Sequence, residues 1–87
     1  MKTFKDLVFK PHFIHEDGII SRIEFDNGYG VSVVRHEASY GYDRGLYEMA
    51  VLKDGDIHYD NPIANGNVVG WLREEDVSDA MMIIQKW

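Results

Sequence analysis

Cysteine is absent from the chain, and its absence excludes both a disulfide framework and a thiolate metal site. A domain of 87 residues without those supports is held by its own packing or by a partner subunit. Long apolar runs are also missing. No stretch approaches the roughly 18 apolar residues of a membrane helix. Charges break up Met1-Lys2-Thr3-Phe4-Lys5-Asp6 too often for the apolar stretch of a secretory signal. The expectation is a cytoplasmic protein without a membrane partner. Basic runs are missing too: 9 Lys and Arg stand against 15 Asp and Glu, for a net charge of −6. Nucleic-acid binding rests on Lys and Arg neutralising phosphates, so direct contact with DNA or RNA is not expected. Repeats, low-complexity tracts and Pro/Gly-rich linkers are lacking, which gives one domain over residues 1–87.

What is present suffices for a core: 45% of residues are apolar and 13% aromatic. Residues 3–9 read as a short helix capped by Thr3, with Phe4, Leu7 and Val8 on one face, or as an extended segment. Pro11 ends it, and His12 to Asp17 is a connection or a poorly formed edge strand. Ile19–Phe25 and Tyr29–Arg35 are rich in β-branched and aromatic residues and enclose Asn27-Gly28, the mark of a hairpin. A two-residue loop would set Tyr29, Val31 and Val33 opposite charged side chains. A three-residue loop, Asp26-Asn27-Gly28, pairs Phe25 with Tyr29, Ile23 with Val31 and Ser21 with Val33, and is preferred with Gly28 left-handed in a bulge. Leu46–Lys53 is apolar on both faces, as a central strand should be. Asp54-Gly55 then turns the chain into a short strand, Asp56 to Tyr59, with Leu52 opposite Ile57 and Ala50 opposite Tyr59.

Pro62 stops that strand, a loop through Asn65-Gly66-Asn67 follows, and Val68 and Val69 add a few extended residues before Gly70. Val77, Ala80, Met81, Ile84 and Trp87 recur at spacings of three and four, the stripe of an amphipathic helix. Glu74, Glu75 and Asp76 fill its first turn, where the helix dipole favours anions. The predicted architecture is α+β: an antiparallel sheet of about four strands, two hairpins, packed against a C-terminal helix. Its other face is left for the N-terminal segment or for a second copy in a homodimer.

Chemistry-bearing residues are scattered. His12 and His15, followed by Glu16 and Asp17, come nearest to a metal cluster, yet Pro11 disfavours the helix that would converge them and no second ligand pair completes the set. Asp54 and Asp56 around Gly55 lack the spacing of a calcium loop. Asn27-Gly28-Tyr29-Gly30 follows neither a phosphate loop nor a dinucleotide fingerprint, so no cofactor is expected. Ser39 with His36 or His58 is a conceivable nucleophile and base, but no nucleophile elbow surrounds any serine. Glu24 and Asp26 project from the polar face of a strand. The chain therefore reads as non-enzymatic, the alternative being a small enzyme or ligand-binding domain with a pocket near His36 or His58. A further alternative, an acidic DNA mimic, requires carboxylates arrayed over one surface, whereas here they are interleaved with Lys and Arg.

One segment differs in kind. Ala38-Ser39-Tyr40-Gly41-Tyr42-Asp43-Arg44-Gly45 sets two tyrosines and an arginine among small residues. Tyr and Arg are enriched at binding hot spots, and loops of Tyr, Ser and Gly make adaptable contact surfaces. Tyr40, Tyr42, Asp43 and Arg44 are the candidate partner-binding residues, the competing role being a loop whose tyrosines cap an edge of the core. Trp71 and Trp87 pose the same question, and Trp87, on the apolar stripe, reads first as core or dimer contact.

The run Asn27-Gly28-Tyr29-Gly30-Val31-Ser32-Val33-Val34, with Gly45-Leu46-Tyr47-Glu48-Met49-Ala50-Val51-Leu52 and Asp60-Asn61-Pro62-Ile63, resembles small uncharacterised proteins of tailed bacteriophages and prophages. The likeness continues through Val69-Gly70-Trp71-Leu72 and Glu74-Glu75-Asp76-Val77. It carries no activity and no catalytic residues. Arg73 stands where a Thr or Ser cap would be unsurprising in such proteins. What the resemblance implies is context: a small accessory protein that binds a host or phage protein.

Overall fold

Two tight turns organise the sheet. In the first, Asp26-Asn27-Gly28, Gly28 lies at φ +87° and the Phe25 amide donates to the Tyr29 carbonyl at 2.7 Å. Ile23 faces Val31 and Ser21 faces Val33, the register set by the parity of the apolar residues. Asn27 also ties the turn to the end of the helix, its amide donating to the Ile84 carbonyl at 2.9 Å. In the second turn Asp54 and Gly55 both have positive φ, +52° and +87°, as a two-residue hairpin loop requires, and Leu52 faces Ile57.

The computed structural model describes residues 1–64 and 66–87. Its strands are β1 (Lys10–Pro11), β2 (Ile19–Glu24), β3 (Tyr29–Arg35), β4 (Tyr47–Lys53), β5 (Asp56–Ile57) and β6 (Val69–Leu72), followed by helix α1 (Glu74–Ile84). They form one antiparallel sheet in the order β1-β2-β3-β4-β5, with β6 also paired to β4. The α+β class stands, with more strands than the expected four. β5 pairs with Leu52 and Lys53, and β6 with Tyr47 and Met49, so the two share one edge of β4.

That sharing explains a misread strand. Sequence parity extends the fourth strand to Tyr59 with Ala50 opposite, but the last bond to β4 is from the His58 amide to the Val51 carbonyl at 2.8 Å, and the Ala50–Tyr59 pair does not form. Buried Asn61 bends the chain away. Its Oδ1 accepts from the Ile63 and Ala64 amides at 2.9 and 2.7 Å, and its Nδ2 donates to the His58 carbonyl at 2.7 Å. The vacated edge is taken by β6, which runs on through Gly70 and Trp71 to Leu72. The turn expected through Asn65-Gly66-Asn67 includes Asn65, which lies outside the described residues.

The helix expected over residues 3–9 is a single 3₁₀ turn, Phe4–Asp6, entered from Thr3, whose amide donates to the Asp6 carboxylate at 2.8 Å. Leu7 then turns extended, so Phe4 and Phe9 can both reach Tyr47, with ring centroids 5.1 and 5.6 Å away. The Phe4 amide donates to Ser78 Oγ at 3.0 Å, which lays this segment along α1. It lengthens the helical layer, whereas His12 and Phe13, further along the same stretch, border the opposite face of the sheet.

Helix α1 starts at Glu74 without a Ser or Thr cap, and Asp76 reaches back to accept from the Arg73 amide at 3.0 Å and from Arg73 Nε at 3.1 Å, the return half of a capping box. The hydrogen bond from the Arg73 side chain holds the Asp76 carboxyl below the usual carboxylate range. Val77, Met81 and Ile84 are fully buried against Val31, Val33, Met49 and Val51. Each such side chain contributes about 1.5–3 kcal/mol by leaving water. Trp87 stays outside this core, 37% exposed, with its ring edge-on to Tyr29 at 5.1 Å. Among the described residues no helix is long and apolar enough to cross a membrane.

Candidate functional site

With α1 and the Phe4–Asp6 turn on one side, the other face of the sheet carries no helix and is edged only by His12, Phe13 and Val68. Strand register fixes what it displays. Ile20, Val34 and Glu48 form one cross-strand row, and Arg22, Ser32 and Ala50 the next. Small Ser32 and Ala50 make the floor of a depression of about 310 Å³, walled by Ile20, Val34, Leu52 and Ile57, with His36 and Glu48 at its polar end. Arg22 reaches across the face and donates to the Gly55 carbonyl at 2.7 Å.

At the β6 side of this face the sheet is bulged. Tyr47 faces Leu72 and Met49 faces Val69, so Gly70 and Trp71 together oppose the single residue Glu48. Trp71 takes up the irregularity with φ +54°, a left-handed conformation that costs a non-glycine residue about 1–2 kcal/mol. Bulges re-aim side chains. Here the indole is turned onto the Tyr40 ring, stacked at 5.0 Å and 28°. Trp71 remains 57% exposed and Tyr40 55%, so the pair is a surface platform and not part of the core.

The loop that delivers Tyr40 is ordered from both ends. Its start is a closed turn: the His36 amide donates to Ser39 Oγ at 3.0 Å, Ser39 Oγ donates to the His36 carbonyl at 2.8 Å, and the Ala38 amide donates to His36 Nδ1 at 3.1 Å. The Tyr40 amide donates to Glu48 Oε2 at 2.7 Å, fastening the loop to the sheet. Gly70 permits the stack, because a Cβ there would lie 2.4 Å from Tyr40 Cβ. Beyond it, Tyr42–Arg44 forms a 3₁₀ turn on which Tyr42, Asp43 and Arg44 are all exposed. The predicted contact residues thus share one loop, joined by Trp71 from β6.

Histidines meet at the opposite end of the loop. His12 and His15, from the connection between β1 and β2, meet His36 at the end of β3. The His15 and His36 rings stack at 3.8 Å and 6°, and His12 stands edge-on to each at 4.9 Å. Gly18 makes the approach possible, since a Cβ there would meet His36 Cβ at 2.6 Å. His12 Nδ1 accepts from the Ile14 and His15 amides at 3.1 and 3.3 Å, and His15 Nδ1 lies 3.4 Å from Glu37 Oε1. Among the described residues no group of three or more His, Asp or Glu side chains is arranged to hold a metal ion.

The conceivable nucleophile–base pair does not assemble. Ser39 Oγ spends its hydrogen bonds on the backbone of His36 and not on its imidazole. His58 lies away from the depression, against the Tyr29 ring at 5.9 Å. Sequence inspection missed Trp71 as the partner of Tyr40, and Glu48 as the anchor. The available signal was Gly70, since a glycine inside a strand marks a bulge or a close approach of another chain segment. No family model matches the chain, and no curated protein or solved structure matches it.

Proposed function

We propose that the chain is a non-enzymatic protein–protein interaction module, a phage or prophage accessory protein acting in the cytoplasm on a host or phage protein. Its contact surface is the Tyr40–Trp71 platform with Tyr42, Asp43 and Arg44 beside it. One observation carries this reading: Trp71 holds an unfavourable left-handed backbone while leaving its indole mostly in water. Core packing does not repay that conformation, and strained residues with exposed side chains concentrate at functional surfaces. Tyr, Trp and Arg are also the residues that dominate binding energies at protein interfaces.

The test is affinity capture from bacterial lysate with the wild type beside Tyr40→Ala/Tyr42→Ala. The expected result is a protein retained by the wild type and lost from the folded double variant. Equal capture by both proteins would remove the loop from the account.

The depression favours a second reading, a small-ligand site. Its volume of about 310 Å³ falls at the lower end of ligand pockets, and its walls are apolar with Glu48 and His36 at one end. An NMR screen of small apolar amines would show shifts confined to Ser32, Val34, Ala50 and Leu52. Shifts centred on Trp71 instead would return the site to the platform.

A further inference from the structure

We infer that the His12–His15–His36 cluster is an acid-sensitive latch that orders the Tyr40 loop near neutral pH and releases it on acidification. The inference rests on the platform reading for its biological consequence, while the latch itself can be observed without any partner.

The hydrogen bonds set the protonation state. A ring nitrogen that accepts from a backbone amide carries no proton, so the Ala38 bond requires His36 to be unprotonated at Nδ1. Adding a proton to His36 Nδ1 turns the acceptor into a donor aimed at the Ala38 N–H. That bond, one of those that steady the 36–39 turn, is then lost, and the turn rests on the bonds between Ser39 and the His36 backbone.

Stacking opposes charge as well. Rings 3.8 and 4.9 Å apart cannot all become cations without mutual repulsion. The charged and titratable groups facing His36 are His15 and His12 from the preceding connection, Glu37 from its own loop and Glu48 from β4. Glu37 lies 3.4 Å from His15 Nδ1, and Glu48 already accepts the Tyr40 amide. Burial first, then His15 and His12, lower the His36 imidazole below its ordinary 6.5. The neutral form is therefore the one that fits the folded loop.

The 36–39 turn leads directly into Tyr40, whose ring lies on Trp71. Loosening the turn shifts the hold on Tyr40 to the Glu48 carboxylate, the Trp71 amide that donates to the Tyr40 carbonyl at 3.4 Å, and the stack. A cation on His36 also competes for that carboxylate. Loosening of the turn thus reaches the platform through a single short segment.

The experiment is a pH titration of the full chain by two-dimensional amide NMR from pH 8 to 5, with His36→Asn alongside. Asparagine keeps a side-chain acceptor for the amide two residues on and does not titrate. In the wild type, the Ala38 and Tyr40 amides and the Trp71 indole N–H should move together with one midpoint below 6.5, while Val31, Val51 and Met81 stay still. In His36→Asn the Tyr40 and Trp71 signals should stay still over the same range. Stationary Tyr40 and Trp71 signals in the wild type, or identical movement in His36→Asn, would overturn the latch. If His36→Asn does not fold, His15→Gln replaces it. Removing the stacked ring should raise the common midpoint, and an unchanged midpoint would count against coupling through the cluster. A working latch with no captured partner at neutral pH would sink the platform reading alone.

Discussion

Replacing Trp71 by alanine and by glycine separates backbone strain from ring contacts. Both variants lose the stack on Tyr40 and the apolar contacts of the indole, so these losses cancel in the comparison. What differs is the backbone at φ +54°. There alanine pays about 1–2 kcal/mol that glycine does not. Glycine in turn loses about 0.5–1 kcal/mol more chain entropy on folding, the usual reason it weakens strands. At the middle of these ranges the balance favours Trp71→Gly over Trp71→Ala by about 0.75 kcal/mol, the reverse of an ordinary strand position. For a domain of this size 1 kcal/mol moves the melting temperature by about 4–8 °C. Trp71→Gly should therefore melt about 3–6 °C above Trp71→Ala, read by circular dichroism on heating and checked by urea titration. Trp71→Ala as stable as Trp71→Gly, or more stable, would show that residue 71 is not left-handed. The bulge would then not be what turns the indole outward.

Gly70→Ala places a Cβ 2.4 Å from Tyr40 Cβ, so it should displace the loop, destabilise the fold by about 1–3 kcal/mol and abolish partner capture. Normal capture by a folded Gly70→Ala protein would contradict the stacked arrangement. Met81→Ala empties a fully buried site and should cost about 2–5 kcal/mol. At about 0.05–0.15 kcal/mol of stability per residue, that is a large share of the total, and urea denaturation should show a much lower midpoint. Stability should also depend on pH through His36. Its imidazole is lowered in the folded chain, so the unfolded chain takes up a proton that the folded one resists. Stability is then complete above about pH 6.5 and declines as the pH falls below it. His36→Asn should flatten that slope in urea titrations, and an equal slope in both proteins would place the dependence elsewhere.

Local rules made much of the fold legible. The alternation of Ile23, Phe25, Tyr29, Val31 and Val33 fixed both the hairpin register and the length of its turn, because a one-residue slip would expose the whole set. The three-and-four spacing of Val77, Met81 and Ile84 located the helix face. Failures arose where a residue answers to a distant partner. Asn61 ends β5 by wrapping its own amide around the following residues, and only then is there an edge for β6. The site was half legible. Tyr40, Tyr42, Asp43 and Arg44 stood out by composition, but the stack depends on Gly70 and Trp71, about thirty residues further on, and on a bulge opposite Glu48. His12 and His15 were visible as a pair, whereas their meeting with His36 follows from β2 and β3 lying side by side and from the missing side chain of Gly18.

The central claim is that a protein partner sits on the Tyr40–Trp71 platform. Site-specific photocrosslinking in bacterial cells tests it most directly, with a benzophenone side chain at Tyr42 in one protein and at exposed Ile83 on α1 in another. The account predicts a discrete crosslinked species from position 42, lost when Trp71→Gly is added, and none from position 83. The same species from position 83, or none from position 42 in a folded protein, would contradict it.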